Sequence, residues 1–312
     1  MKVVVTGGSG FIGSHVVEEW IDHGAEVHVL DLWRSPRMER LVEKHGVRFH
    51  AGDLRDAKTL RTVFEGADIV YHLGSILGTS ESIDRYDPID VADTNVVGTC
   101  RILAIANELG VKRVVYPSTP DVPWLNPYKI TKQAAEKFCQ MYYKEFGLNT
   151  VVLKLTNIYG PRERWIDADV GAPFNYQKVV PTFIVNALRG DALPVFGDGT
   201  QTAEYVYVTD VARAFYLAGI APEEHVAGEV IPIGTGESID VLSLARLVLD
   251  MTGSSSEIQM LPMRRGEVHV HISVDTGPAR RKLNFTPKVS LHDGLKRSIA
   301  YYTAVLNGQD DL

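Results

Sequence analysis

The chain has 312 residues, a formal net charge of -7 and 23% charged side chains. That charge excludes the cationic footprint a nucleic-acid binder needs, and no apolar run reaches the roughly 18 residues of a membrane-spanning helix. Two cysteines, Cys100 and Cys139, are too few for a disulfide framework or a metal site by themselves.

In chain order, KVVVT at residues 2–6 reads as a strand that starts at once. No secretory leader is therefore expected ahead of it, and a reducing cytoplasm is the expected home. Similar valine-rich runs follow in EVHVLD (26–31), DIVYHL (68–73), RVVYPS (113–118) and TVVLKL (150–155), separated by helical patterns. Such runs lack polar alternation, as strands buried on both faces do, and strand–helix alternation predicts a parallel sheet with helices on both sides. Gly24 and Gly110 stand where helices should end. Beyond about residue 158 the rhythm breaks into the irregular 160–177 stretch, a helix at PTFIVNALRG and a turn at VFGDGTQT. EYVYVTDVARAFYLAGI (204–220) reads as a strand and helix returning to the sheet, and GEVIPIG (228–234) as one more strand. The expected division is a large domain of 1–157 with 204–233, and a smaller mixed α/β domain of 158–203 with 234–312.

VVVTGGSGFIGSH sets Gly7, Gly10 and Gly13 between a strand and a helix, and Asp31 ends the second strand 24 positions beyond Gly7. Glycines let backbone approach a pyrophosphate at the positive end of a helix, and the carboxylate accepts from ribose hydroxyls. The pattern predicts a dinucleotide site in a Rossmann-type, doubly wound sheet. Asp31 would repel a 2′-phosphate and so favours NAD, while nearby Arg34 and Arg37 leave room for NADP.

Here the sequence resembles the extended short-chain dehydrogenases, in particular the NAD-dependent nucleotide-sugar epimerases and dehydratases such as the UDP-glucose 4-epimerases. TGGSGFIGSH is similar to the cofactor loop, which adds Phe11 and Ile12 to the glycines as expected cofactor contacts. AGDLRD is similar to the adenine-contacting segment (Asp53, Leu54), HLGS to the one beside the cofactor ribose (Leu73, Gly74, Ser75), and NVVGT supplies Asn95. YKITK matches the Tyr-x-x-x-Lys pair as Tyr128 and Lys132, and LTNIYGPR, VFGDGTQTAEYVYVTDVARA and MRRGEV resemble segments of the substrate side.

On a helix, positions i and i+4 share a face, so Tyr128 and Lys132 point into one cleft. A phenol titrates near 10, and a neighbouring ammonium with the cationic ring of NAD should lower that value and make a base. The resemblance implies that Thr119, with Ser118 beside it, contacts the reacting oxygen. It also implies a nucleotide-sugar bound by Asn157, Phe196, Arg264 and Glu267, and a homodimer built on helices near 90–110 and 126–146. Two departures stand out. Ala203 replaces an expected phosphate-binding arginine, a loss Lys178 is positioned to offset. Only residues 120–127 separate Thr119 from Tyr128, far fewer than in relatives, so the pocket should be more open.

Epimerisation at C4, 4,6-dehydration and uronate decarboxylation all begin with oxidation at C4. Pro120 cannot serve as the acid of a dehydratase, whereas Asp121 could stand in for its glutamate. Epimerisation asks for nothing beyond Tyr128, Thr119 and NAD and is the first reading. A non-catalytic protein sensing NAD or NADP is the alternative of another class.

Overall fold

A computed structural model describes residues 1–163 and 178–309, so most of the irregular 160–177 stretch lies outside the described residues. The strands are β1 Lys2–Thr6, β2 Glu26–Asp31, β3 Arg48–Ala51, β4 Ile69–His72, β5 Arg113–Ser118, β6 Thr150–Leu155, β7 Asn157–Tyr159, β8 Leu193–Phe196, β9 Thr202–Tyr207, β10 Val230–Ile233, β11 Ser238–Asp240 and β12 Ile258–Leu261. Seven of them pair in parallel in the order β10-β6-β5-β4-β1-β2-β3. This is the expected Rossmann-type α/β sheet.

The helices of the large layer are α1 Phe11–Asp22, α2 Pro36–His45, α3 Ala57–Phe64, the short α4 Glu81–Asp84 and α5 Pro88–Ala92, α6 Gly98–Glu108 and α7 Pro127–Phe146. The chain continues through α8 Val179–Arg189, α9 Val208–Ile220, α10 Glu223–Val226, α11 Val241–Thr252, α12 Gly277–Leu283 and α13 Leu291–Leu306. Alternation along β1 decides the layering: Val3 and Val5 pack with Val17, Trp20 and Phe215 of α1 and α9, while Val4 packs with Leu60, Ile102 and Ala135 of α3, α6 and α7. Gly24 and Gly110 follow their helices with φ of +70° and +68°, a conformation that suits glycine.

Two readings change. RFHA forms β3 at the sheet edge, although its four residues carry no valine-rich signal. β9 pairs with β7 and β11 instead of joining the large sheet, whose edge beside β6 is taken by β10. Only α9 returns, packing against α1. β9 is held in the second layer by buried Glu204, whose carboxylate accepts the N–H groups of Thr235 (2.7 Å), Gly236 (2.9 Å) and Val274 (2.7 Å). A second core, including Phe183, Val195, Leu244 and Tyr302, gathers α8, β8, α11 and α13 around it.

The sheet reverses direction of winding between β1 and β4, and the crevice outside the strand ends there is where such sheets bind ligands. At that point the turn is packed to contact. Gly7 has φ +69°, and a Cβ on Gly13 would stand 2.2 Å from the Gly7 carbonyl oxygen. We expect Gly13→Ala to lower stability by about 1–3 kcal/mol, the usual range for overpacking, and to abolish retained dinucleotide. Denaturant unfolding, with assay of the cofactor released, measures both.

Candidate active site

The glycine turn makes a cradle in which Ser9 alone of residues 7–10 carries a side chain. Gly10 caps α1 but has no side chain to offer, so the first-turn N–H groups are left for an anion. A Cβ on Gly7 would lie 2.6 Å from the Gly74 nitrogen, so the turn sits directly against the end of β4. Asp31 projects from the end of β2, its carboxylate accepting the Ser9 N–H at 3.0 Å and the Leu32 N–H at 2.8 Å. Arg34 and Arg37 are engaged elsewhere, with Glu39 at 3.0 Å and Glu18 at 2.7 Å.

The remaining predicted cofactor residues line the same side. Asp53 is held by Arg55 at 2.7 Å, and Leu54 packs on Gly74 and Gly98. Thr6 accepts the Gly74 N–H at 3.2 Å, fixing the segment Leu73, Gly74, Ser75. Buried Asn95 accepts the Ile76 N–H at 2.8 Å and donates to the Ile76 carbonyl at 2.9 Å, so it pins that segment from a single π-helical turn, Asp93–Val97. His72 is buried between Thr6 and Thr99, both at 2.9 Å, and burial pushes its pKa down to about 3. It is a packed strand-end residue.

Tyr128 and Lys132 lie one turn apart in α7, which Asn126 caps by accepting the Lys129 N–H at 2.8 Å. Tyr128 donates its own N–H to the Ser82 hydroxyl at 3.2 Å. Lys132 is buried, with Nζ 3.9 Å from the centre of the Tyr116 ring. The expected acidic phenol is not produced by these neighbours alone. Burial pushes Tyr128 up to about 12 and pulls Lys132 down to about 7, because both charged forms lose water.

Thr119, just past β5, is half-buried and accepts a hydrogen bond from the Lys129 ammonium at 3.0 Å. Ser118 donates to Glu136 at 2.6 Å instead, and Glu136 pairs with Lys154 at 3.4 Å. Lys154 also holds Asp121 at 2.9 Å, which keeps that carboxyl below its ordinary range.

An open cleft is lined by Trp124, Asn157, Phe196, Tyr205, Arg264 and Glu267 among others. The Arg264 guanidinium lies 5.3 Å from the Phe196 ring centre and binds the Glu267 carboxylate at 2.7 and 3.1 Å. Thr79 donates to the same carboxylate. Ala203 lines the cleft where the expected arginine is missing, and Lys178, just ahead of α8, is exposed. The structure thus gathers Asn157, Phe196, Arg264 and Glu267, and sets Ser118 and Lys178 apart from them.

A family model for the NAD-dependent epimerase/dehydratase family matches residues 3–234. The chain belongs to that family. Its cofactor is NAD, and the glycine-rich cradle, Asp31 and the paired Arg34 and Arg37 fit that group. Among solved structures, it is similar to a UDP-glucose 4-epimerase of Thermotoga maritima with UDP-glucose (32% identity, TM-score 0.86, covering 98% of this chain and 100% of that one). The dTDP-glucose 4,6-dehydratase DesIV of Streptomyces venezuelae is similar too (29%, TM-score 0.86, 99% of each chain). A UDP-N-acetyl-alpha-D-glucosaminuronate decarboxylase of Bacillus cytotoxicus is 30% identical over 98% of this chain and 99% of its own. Epimerases, dehydratases and decarboxylases therefore share this architecture.

Two residues of the site escaped the sequence reading, Asn126 and Lys129. Asn126 is signalled by Asn-Pro ahead of the helix, the pattern of an N-cap followed by proline at the first position. Among the described residues no helix is long and apolar enough to cross a membrane, and no group of three His, Cys, Asp or Glu is placed to hold a metal.

Lys132 provides a pH test. Its folded pKa of about 7 lies below its unfolded value, so its charge opposes folding fully below pH 7. That burden is relieved as pH rises from about 7 towards the ordinary lysine value near 10.4. In NAD-free protein, Lys132→Met should raise the melting temperature most at pH 6, with the gain shrinking by pH 9. A gain that grows with pH contradicts the burial argument.

Proposed function

We propose that the protein is an NAD-dependent nucleotide-sugar 4-epimerase, acting through a transient 4-keto sugar, with a UDP-sugar as the substrate. NAD, when bound, would supply a hydride acceptor and a positive charge. Tyr128 takes the proton of the C4 hydroxyl once that field and Lys132 bring its pKa towards the working pH. Thr119 donates to the same oxygen, and Lys132 holds the cofactor ribose. Arg264 binds the diphosphate through its planar fork, whose geometry matches phosphate oxygens. In this reading Asn157 lies near the sugar-diphosphate and Phe196 packs against the base.

The observation that carries epimerisation over dehydration is the fate of Asp121. Elimination needs a proton donor after Thr119, yet Pro120 has none and Asp121 is held ionised by Lys154. Re-addition of hydride to the other face of a rotated ketone needs no such group. Decarboxylation of a nucleotide-uronate is the second reading, favoured by the full-length similarity to a decarboxylase. We also propose a homodimer through α6 and α7, where Ile130 and Phe138 leave apolar surface exposed.

Incubation with UDP-glucose, UDP-N-acetylglucosamine, UDP-glucuronate and dTDP-glucose, followed by NMR of the products, separates the readings. An epimer pair at equilibrium is expected. A 4-keto-6-deoxy product, a pentose product, or no turnover of any sugar-nucleotide points instead to dehydration, decarboxylation or a non-catalytic role. Tyr128→Phe should lower kcat by about 10²–10⁴, the span for removing a general base, while retaining NAD.

A further inference from the structure

We propose that Lys129 is a positioning residue that fixes the direction of the hydrogen bond Thr119 offers to the reacting oxygen, an inference that rests on the reading of Tyr128 and Thr119 given above. Lysine is among the residues least often found fully buried, yet Lys129 is 2% exposed. It also stands in the first turn of α7, the end of a helix that disfavours a cation. A cation in so costly a place needs a reason in its contacts. Its ammonium donates to Thr119 Oγ1 at 3.0 Å and to the carbonyl of Pro120. The carboxylates nearest in charge, Asp121 and Glu136, are already claimed by Lys154.

An ammonium has three donors and no acceptor, whereas a hydroxyl has one donor and two acceptor sites. With Lys129 donating into Oγ1, the Thr119 hydrogen must be spent on another acceptor. Lys129 also takes one lone pair of the neighbouring Pro120 carbonyl, and the oxygen of a bound sugar is the recipient proposed for the Thr119 hydrogen. One of the two acceptor sites of Thr119 is then filled, which favours its donating, and its hydroxyl is polarised by the positive charge behind it. A donor suits every stage of the chemistry. The C4 hydroxyl can accept from Thr119 while giving its proton to Tyr128, and the ketone that follows can only accept. The geometry therefore divides the labour, with Tyr128 exchanging the proton and Thr119 always donating.

The test is a double-mutant cycle of Thr119→Val and Lys129→Met, with NAD content and melting temperature checking that each variant folds. Each sugar-nucleotide turned over by the wild type serves as probe. Lys129→Met should lower kcat about tenfold, the worth of one charge-assisted hydrogen bond, with KM within about twofold. In the Thr119→Val background the same change should cost nothing more, because the group it acts through is gone. Should Met at 129 prevent folding, Lys129→Gln replaces it in the cycle. Glutamine can accept from Thr119 and so reverse the bond, and the same loss and the same non-additivity are expected. Losses that multiply, or a Lys129 variant equal to wild type, overturn the proposal. Wild-type or near-wild-type turnover in Thr119→Val beside an inactive Tyr128→Phe overturns it too, while leaving the role of Tyr128 standing. An unaffected Tyr128→Phe, or wild type turning over none of the probes, brings down the underlying reading and this inference together.

Discussion

Asn126 joins the two halves of the site through one side chain. Its carbonyl oxygen accepts the Lys129 N–H at 2.8 Å, and its amide donates to the Gly266 carbonyl at 3.2 Å. A helix start leaves backbone donors unsatisfied, and capping one of them sets where the first turn begins. Tyr128, Lys129 and Lys132 all take their positions from that turn. The second bond ties it to the arm carrying Arg264 and Glu267, which Trp124 also grips through the Val268 carbonyl at 3.1 Å. One short strap, residues 120–127, thus links the start of α7 to the arm carrying Arg264 and Glu267. Sequence reasoning treats that stretch only as a shortening that opens the pocket. The structure makes it a tie to that arm.

Burial governs the charges around this junction. Tyr128 is pushed up and Lys132 down by loss of water, and neither shift suits catalysis in the protein alone. Among the described residues the buried Tyr116 hydroxyl has no hydrogen-bond partner, and Lys132 rests over its ring. Such arrangements oppose folding, and functional sites commonly retain them because a ligand completes them. A family that holds NAD has that completion available, which explains why the pair tolerates a pocket that suits neither charge.

The parallel sheet was legible because its valine-rich strands are buried on both faces, and the cofactor turn because three glycines at that spacing have few other uses. RFHA failed as a strand signal because an edge strand of four residues needs no apolar run. The placement of β9 escaped notice since YVY fits either sheet, and only Glu204, gathering three backbone N–H groups, decides which one holds it. At the site, position in a motif located Ser118 and Thr119 but not the neighbours that claim their hydroxyls. Glu136 takes one and Lys129 supplies the other. Lys129 was passed over for a physical reason: a lysine in a helical pattern is ordinarily solvent-facing, and nothing local in YKITK reveals that this one points inward.

The central claim is that the hydrogen at C4 leaves the sugar as hydride and comes back without meeting water. Turnover of a substrate deuterated at C4, run to product in ordinary water and analysed by mass spectrometry, tests this directly. The account predicts that the label stays in the product, on C4 for an epimer. Deuterium lost to solvent as fast as product forms would contradict it.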